Sequence, residues 1–141
     1  MFGICNLAII PLRIEPNDRS EIVSQVLFGE HFEVIEKLKQ WTKIKLQYDD
    51  YEGWIDSKQF QPISKEDFKT ISAQEIVLNG DLIDYITAEN NFMMPIPLGA
   101  ALSFLPGFIA VIWFPTEAYE DSGRLLRTSY PATSHIIRSA F

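Results

Sequence analysis

The chain has 141 residues, enough for one domain or for two small ones. Hydrophobic residues make up 47% and charged residues 22%, a composition typical of a soluble globular protein, which argues against disorder. The net charge of −7 argues against a nucleic-acid-binding surface, and the single cysteine excludes an internal disulfide framework and fits a reducing compartment.

The N-terminal segment, residues 2–12, is apolar, but it lacks the basic start and the small-residue cleavage site of a signal peptide. We therefore expect it to form the first strand, and we expect a cytoplasmic location. An exported protein whose signal had been removed would look the same. The next segment, residues 13–21, is polar and interrupted by Pro16, so a loop is predicted there, and strand character resumes at residues 22–27.

The stretch from residue 26 to residue 55 carries the clearest strand signal. Ile44, Leu46 and Tyr48 alternate with polar residues, and this period of two places the apolar side chains on one face of a strand. A similar alternation precedes this strand, and a turn at Asp49 follows it. Three strands joined by tight turns predict a small all-β barrel.

The third of these strands begins at Gly53-Trp54-Ile55. We expect Trp54 to pack into the core of the barrel, because its large ring buries a large apolar area. Gly53 is expected at a backbone position that a Cβ atom would crowd.

Five short motifs follow one another in the first half of the chain. They are PLR-x-EP at residues 11–16, SE at 20–21, LFGE at 27–30, W-x-KI at 41–44 and Y-x-GWI at 51–55. Their order resembles the bacterial SH3-like (SH3b) domain over about Ile4 to Ile63. It resembles more closely the SH3b region in front of NlpC-type cysteine peptidases, the γ-D-glutamyl-L-diamino acid endopeptidases that trim peptidoglycan peptides.

A short helical linker is predicted after this region. Ser64 lies three residues before Asp67, which is the spacing of a capping box. We therefore place a domain boundary at residues 64–69.

The second half of the chain repeats the β character. Asn79-Gly80 predicts a two-residue hairpin turn between strands at 75–78 and 82–88. Residues 95–99 resemble the second SH3b unit of the same family. We thus expect an all-β protein with two tandem small SH3-like barrels. These occupy residues 1–63 and 70–127, and residues 128–141 form a linker and the start of a helix.

Residues 92–114 contain no charged residue, a span long enough for a transmembrane helix. Three prolines and two glycines interrupt it, and lipid tolerates only an element whose backbone bonds are all satisfied internally. A loop followed by a buried strand at 109–114 is therefore favoured, and no membrane span is expected.

Charge is distributed unevenly along the chain. Between Thr70 and Gly123 there is no Lys or Arg, whereas acidic residues recur throughout this stretch. The stretch forms either a solvated acidic face or a surface that meets a basic partner domain or a cationic ligand.

Cys5, His31 and His135 occur in the order of an NlpC-type Cys–His–His triad. The family's nucleophile lies in an Asp-Cys-Ser-Gly run that opens a helix, whereas Cys5 lies in an apolar, strand-like segment typical of a buried cysteine. We therefore assign no catalytic residue, and we expect His31 at the surface. The sequence has no metal-ligand spacing and no phosphate-binding loop, so neither a metal nor a cofactor is expected.

The C-terminal residues 132–141 begin a helical pattern where the family's catalytic domain begins. The chain thus resembles the non-catalytic front half of such a peptidase, whose partner is a C-terminal cysteine peptidase domain. The resemblance implies that the SH3b region limits substrates to peptidoglycan peptides with a free N-terminal L-Ala amine. The alternative is a stand-alone SH3b module that binds cell-wall peptides or a protein partner.

The resemblance also implies a site. The family's SH3b region supplies an aromatic and an acidic residue that hold the amine of the substrate. Tyr51 matches the aromatic position and Glu15 the acidic one, with Asp18 and Glu21 as competitors for the acid. The alternative is that Tyr51 covers the edge of the barrel and that Glu15 is a solvated loop residue.

Overall fold

The computed structural model describes residues 1–87, 93–102 and 111–112. Contacts divide the chain into two compact units, residues 1–84 with 95–105 and residues 85–94 with 106–141. The elements within the described residues are β1 (Phe2–Ile4), β2 (Ile9–Arg13), β3 (Ile22–Leu27), β4 (His31–Lys37), β5 (Trp41–Leu46), β6 (Glu52–Asp56), β7 (Gln61–Ile63), α1 (Lys65–Ser72), β8 (Ile83–Thr87), β9 (Met93–Pro97) and β10 (Val111–Ile112).

The first seven strands form one antiparallel sheet in the order β3-β2-β6-β5-β4-β1-β7. The predicted all-β class is confirmed. The apolar N-terminal segment contributes two strands, β1 and β2. No pairing joins β3 to β7 within the described residues, so the sheet is not closed there.

The core of the sheet follows from the period of two in its strands. In β5, Thr42, Ile44 and Leu46 are buried, whereas Trp41 and the two lysines between them point to the other face. The hydroxyl of Thr42 is satisfied by Ser57, 2.7 Å away. The buried cluster consists of Cys5, Ile10, Leu12, Val26, Phe32, Ile44, Leu46, Ile55 and Phe60.

The prediction that Trp54 packs into this core is wrong. In β6 the buried positions are Gly53 and Ile55, and Trp54 points to the opposite face, where it is half-buried. Its neighbours in the sheet are Lys43 of β5 and Arg13 of β2. Strand parity decides this, because two adjacent residues of one strand cannot both face the core.

The expectation for Gly53 is confirmed. A Cβ atom at this position would lie 2.6 Å from Cγ of Leu12 and 2.9 Å from the carbonyl oxygen of Arg13. The glycine therefore allows β6 to approach β2 closely. The prediction for Tyr48 is wrong: β5 ends at Leu46, and Tyr48 is 68% exposed in the following turn.

Helix α1 begins where the capping-box spacing predicts. The hydroxyl of Ser64 accepts a hydrogen bond from the backbone N–H of Asp67 at 3.0 Å. Phe68 stacks on Phe2 of β1 with ring centroids 4.2 Å apart, so the helix packs against the sheet. Whether residues 64–69 mark a domain boundary stays a prediction.

His31, which we expected at the surface, is half-buried beside α1. Its ring meets the Phe68 ring edge to face, with centroids 5.1 Å apart. Because Ser72 Oγ donates its only proton to the Phe68 carbonyl oxygen, His31 Nε2 is the donor in the 2.9 Å bond between His31 and Ser72.

In the second half, the described strands form a three-stranded sheet of order β10-β8-β9. The predicted Asn79-Gly80 hairpin is wrong, because residues 75–78 form no strand and β8 pairs with β9 and β10 instead. A second tandem barrel is not confirmed, and the predicted strand at 109–114 lies largely outside the described residues. The predicted helix start at 128–141 lies outside them entirely. No helix in the described ranges is long and apolar enough to span a bilayer.

The close approach at Gly53 predicts a large effect of a single methyl group. Gly53→Ala should lower the free energy of unfolding by roughly 1–3 kcal/mol, because the methyl overpacks the junction with Leu12. Urea denaturation followed by tryptophan fluorescence measures this difference. Gly80→Ala is the matched control, since nothing lies within 4 Å of a Cβ atom there. Equal midpoints for the two variants would contradict the close packing of β6 on β2.

The burial of His31 predicts a loss of stability in acid. Desolvation lowers the pKa of His31 below its ordinary value of 6.5, so the unfolded chain binds a proton more readily than the folded one. This group therefore destabilises the protein as the pH falls below about 6.5 and has no effect above it. His31→Gln keeps a donor for Ser72 without titrating. As the pH is lowered below about 6.5, the urea midpoint should fall less steeply for His31→Gln than for the parent. Parallel plots of midpoint against pH would exclude a role for His31 in the acid sensitivity.

Candidate functional site

The turn between β5 and β6, residues 47–51, carries Tyr51, and we call it the Tyr51 turn. The backbone N–H of Leu46 donates to the Tyr51 carbonyl oxygen at 2.9 Å, which extends the β5–β6 register by one pair. Tyr51 thus lies opposite Leu46, on the face of the sheet that carries the core. Its side chain is 43% exposed, and among the described residues its hydroxyl has no hydrogen-bond partner.

Two contacts hold the backbone of this turn. Asp49 Oδ1 accepts a hydrogen bond from the Tyr51 N–H at 3.0 Å. Asp50 adopts a left-handed conformation, with φ of 59°, which short acidic side chains tolerate better than most. Its carboxylate pairs with Lys45 at 2.8 Å. The turn predicted at Asp49-Asp50 is therefore present, and a hydrogen bond and an ion pair stabilise it.

The acids around the Tyr51 turn differ in their partners. Asp50 pairs with Lys45, and Glu52 pairs with Lys43 at 2.9 Å. Within the described part of the chain, Asp49 has no such cationic partner. Its negative charge therefore stays uncompensated directly beside Tyr51.

Near the same turn, Glu30 adds a second carboxylate that has no cationic partner among the residues that the structure describes. It is half-buried, and its Oε2 accepts a hydrogen bond from the Leu27 N–H at 2.7 Å. Burial raises the pKa of Glu30, the Leu27 bond opposes this, and the negative charge of Asp49 raises it further. The two carboxylates repel each other, and a bound cation would relieve that repulsion.

Glu15 lies in the loop between β2 and β3. Its carboxylate is exposed and accepts a hydrogen bond from Asn17 Nδ2 at 3.3 Å, while its backbone N–H donates to Ser20 Oγ at 2.9 Å. Because Arg13 pairs with Trp54 in antiparallel register, this loop and the Tyr51 turn leave the β2–β6 pair in the same direction. No hydrogen bond joins Glu15 to Tyr51. The competitors Asp18 and Glu21 are also exposed in this loop.

Sequence reasoning missed Asp49 and Glu30 as site candidates. In the sequence, Asp49 is a turn residue and Glu30 is part of the LFGE motif, and neither pattern indicates a binding role. The nearness of the two carboxylates depends on the fold, which brings the β3–β4 turn beside the Tyr51 turn. No local sequence pattern indicates that these two carboxylates lie near each other.

Cys5 is fully buried in the core, as its apolar context predicts. Its Sγ donates to the Leu7 carbonyl oxygen at 3.1 Å. Burial, with a smaller contribution from the charge of Glu30, raises the pKa of the thiol to about 12. The thiol is therefore protonated at neutral pH, and it is not a nucleophile.

Across the described residues, no group of three or more His, Cys, Asp or Glu side chains could hold a metal ion. His135 lies outside these residues. The Tyr51 turn carries an exposed aromatic hydroxyl and the Asp49 carboxylate, and Glu30 lies near enough to feel the charge of Asp49.

Comparison with known proteins agrees with the motif order. Residues 12–60 match the family of bacterial dipeptidyl-peptidase SH3 domains. No curated protein sequence gives a significant match. The fold is similar to the crystal structure of an NlpC/P60 family protein from Bacillus cereus, with a TM-score of 0.61 and 13% sequence identity. That alignment covers 82% of this chain but only 52% of the Bacillus protein, so the chain spans about half its length. Residues 12–60 are therefore similar to bacterial SH3 (SH3b) domains, and the fold is similar to that of an NlpC/P60 family protein.

Proposed function

We propose that this chain is the non-catalytic SH3b region of a peptidoglycan-peptide cysteine endopeptidase, and that it restricts substrates to peptides with a free N-terminal L-Ala amine. The peptidase domain is its partner, and peptidoglycan-derived peptides are its ligands. The family match over residues 12–60 supports the association with a peptidase. The observation that carries the proposal is the uncompensated acidic environment of the exposed Tyr51.

An N-terminal ammonium group suits this environment chemically. Its three protons satisfy carboxylate oxygens and the Tyr51 hydroxyl at once, and charge-assisted bonds of this kind are about twice as strong as neutral ones. An amide nitrogen carries no charge and one proton, so an acetylated peptide would leave the carboxylates uncompensated. The site would therefore bind a peptide with a free amine more tightly than the acetylated peptide.

Two acids compete for the amine. Glu15 is the residue that the family resemblance implies, and Asp49 is the one that the structure places in the Tyr51 turn. Glu15 is partly engaged by Asn17, and Asp49 is engaged by the Tyr51 backbone. Removing the charge of each acid separately distinguishes them, because both isosteric amides keep the local hydrogen-bond acceptor.

The proposal predicts amine-dependent binding. The chain should bind an L-Ala-γ-D-Glu-diamino-acid peptide in a calorimetric titration, and the N-acetylated peptide should bind at least tenfold more weakly. Loss of one hydrogen bond to a charged group costs about 1.5–3 kcal/mol, so Tyr51→Phe and either Glu15→Gln or Asp49→Asn should weaken binding roughly 10- to 100-fold.

Tyr48→Phe is the matched control, because it removes a hydroxyl from the same turn at a residue that faces solvent. Equal affinity for free and acetylated peptides, with the fold intact, would refute the proposed selection. Parental affinity in both acid variants would place the amine elsewhere.

The state of Cys5 predicts that this chain alone hydrolyses no such peptide. A buried thiol with a pKa of about 12 supplies no thiolate at neutral pH. Incubation of the peptide with the purified chain, followed by mass spectrometry, should recover only intact peptide. Cleavage that disappears in Cys5→Ser would overturn the assignment of Cys5 to the core.

A further inference from the structure

The loop between β2 and β3 is held by its own backbone hydrogen bonds. The N–H of Ile14 donates to the Glu21 carbonyl oxygen at 3.1 Å, which closes the base of the loop. Within the loop, the Asn17 N–H donates to the Glu15 carbonyl oxygen at 2.8 Å. The Ser20 N–H donates to the Asn17 carbonyl oxygen at 3.2 Å. These bonds order the backbone on both sides of Glu15.

Ser20 connects this loop to strand β2 through two further contacts. Its Oγ accepts a hydrogen bond from the Glu15 N–H at 2.9 Å. Its carbonyl oxygen accepts a hydrogen bond from Arg13 Nη1 at 2.7 Å, and Arg13 lies in β2 opposite Trp54 of β6. A series of contacts therefore runs from the β2–β6 pair through Ser20 to the backbone of Glu15.

The Glu15 carboxylate keeps most of its acceptor capacity. It is exposed, and within the described ranges it accepts one hydrogen bond, from Asn17 Nδ2 at 3.3 Å. An ionised carboxylate has about four acceptor sites, so this bond leaves room for a ligand. The Arg13 guanidinium bonds to a neutral carbonyl oxygen, and neither Arg13 nor Glu15 forms an ion pair among the described residues. The negative charge of Glu15 is therefore uncompensated.

Glu15 and Tyr51 lie at the same end of the β2–β6 pair. Strand β2 ends at Arg13, β6 begins at Glu52, and the two strands run antiparallel, so the loop and the Tyr51 turn leave the sheet in the same direction. In the Tyr51 turn, Asp49 accepts a backbone hydrogen bond at 3.0 Å, whereas the bond to Glu15 is longer, at 3.3 Å. Glu15 is therefore the less engaged of the two acids.

We propose that Ser20 and Arg13 are positioning residues that hold Glu15 in place to receive the N-terminal ammonium group of the peptide. This inference rests on the amine selection proposed above, and it assigns the acidic role to Glu15 rather than to Asp49. A carboxylate on an ordered backbone loses less conformational entropy on binding than one on a mobile loop. The contacts of Ser20 and Arg13 therefore raise the affinity that the charge-assisted bond provides.

Ser20→Ala tests the first of these contacts, because it removes the acceptor of the Glu15 N–H and keeps the carbonyl oxygen that Arg13 uses. In a calorimetric titration, the L-Ala-γ-D-Glu-diamino-acid peptide should bind roughly 3- to 10-fold more weakly, as expected for the loss of one neutral hydrogen bond. Binding of the N-acetylated peptide should not change. Ser20→Thr keeps the hydroxyl and should bind as the parent does. Ser24→Ala, in β3, is the matched control.

A double-mutant cycle shows whether Ser20 acts through Glu15. In the Glu15→Gln background, Ser20→Ala should have little further effect, because the charge that it positions is already absent. A general loosening of the fold would instead weaken binding equally in both backgrounds, and that result would overturn the proposal.

Arg13→Ala separates positioning from simple electrostatics. Removal of a positive charge would by itself strengthen the binding of an ammonium group, whereas loss of the bond to Ser20 should weaken it. We expect weaker binding, with the fold checked by the urea midpoint. Stronger binding by a folded Arg13→Ala would contradict a positioning role for Arg13.

The remaining outcomes distinguish this inference from the proposed function. Parental affinity of Ser20→Ala, beside weakened binding by Glu15→Gln, would overturn the inference and leave the amine selection intact. Parental affinity of Glu15→Gln would overturn it too, and would leave Asp49 as the acid. Equal affinity of the parent chain for free and acetylated peptides would refute the amine selection itself, and this inference with it.

Discussion

The junction between β2 and β6 joins the two parts of the seven-stranded sheet. On one side lies the β2–β3 hairpin, and on the other lie the five strands that run from β6 to β7. The paired register between the parts contains a single residue pair, Arg13 with Trp54. Such a short pairing depends on close packing of the backbones, and Gly53 permits it because it has no side chain between Leu12 and the sheet.

The same junction positions the candidate site. Because β6 must enter the sheet with Gly53 against β2, the preceding Tyr51 falls opposite Leu46 at the margin of the core. The β3–β4 turn lies nearby, since the backbone N–H of Gln47 in the Tyr51 turn donates to the carbonyl oxygen of His31, directly after that turn, at 3.1 Å. Its Glu30 carboxylate thus lies in the field of Asp49. The result is a turn with an exposed phenol and an Asp49 carboxylate that has no cationic partner among the described residues, and ordinary sheet packing accounts for its position.

Outside the seven-stranded sheet, polar contacts of Asn79 hold neighbouring segments of the chain together. Asn79 is buried because its side chain satisfies three backbone groups of the neighbouring segments, two carbonyl oxygens and the Asp81 N–H. Gly29 plays the complementary part on the first sheet: with φ of 80°, it leaves room for the Ala101 backbone, whose carbonyl oxygen would lie 1.8 Å from a Cβ atom at that position. Hydrogen bonds and the burial of Ala100 and Ala101 together hold residues 97–101, whereas Leu98 stays exposed.

Local patterns in the sequence predict the strands of residues 26–55, the N-cap of α1 at Ser64 and the resemblance to SH3b regions. Each of these depends on local spacing: a period of two, a capping interval, or a fixed order of short motifs. Tertiary structure alone decided which side of β6 is buried, because Gly53-Trp54-Ile55 offers large apolar groups to both faces and alternation does not say which one meets β2. It also decided that the Asn79 side chain bonds to the backbone of Asp81 and Pro97 instead of forming a hairpin turn. An asparagine is suited to both roles, so the sequence alone does not distinguish them. The effect of the Asp49 charge on Glu30 arises in the same way, because the fold brings together two turns that are distant in the chain.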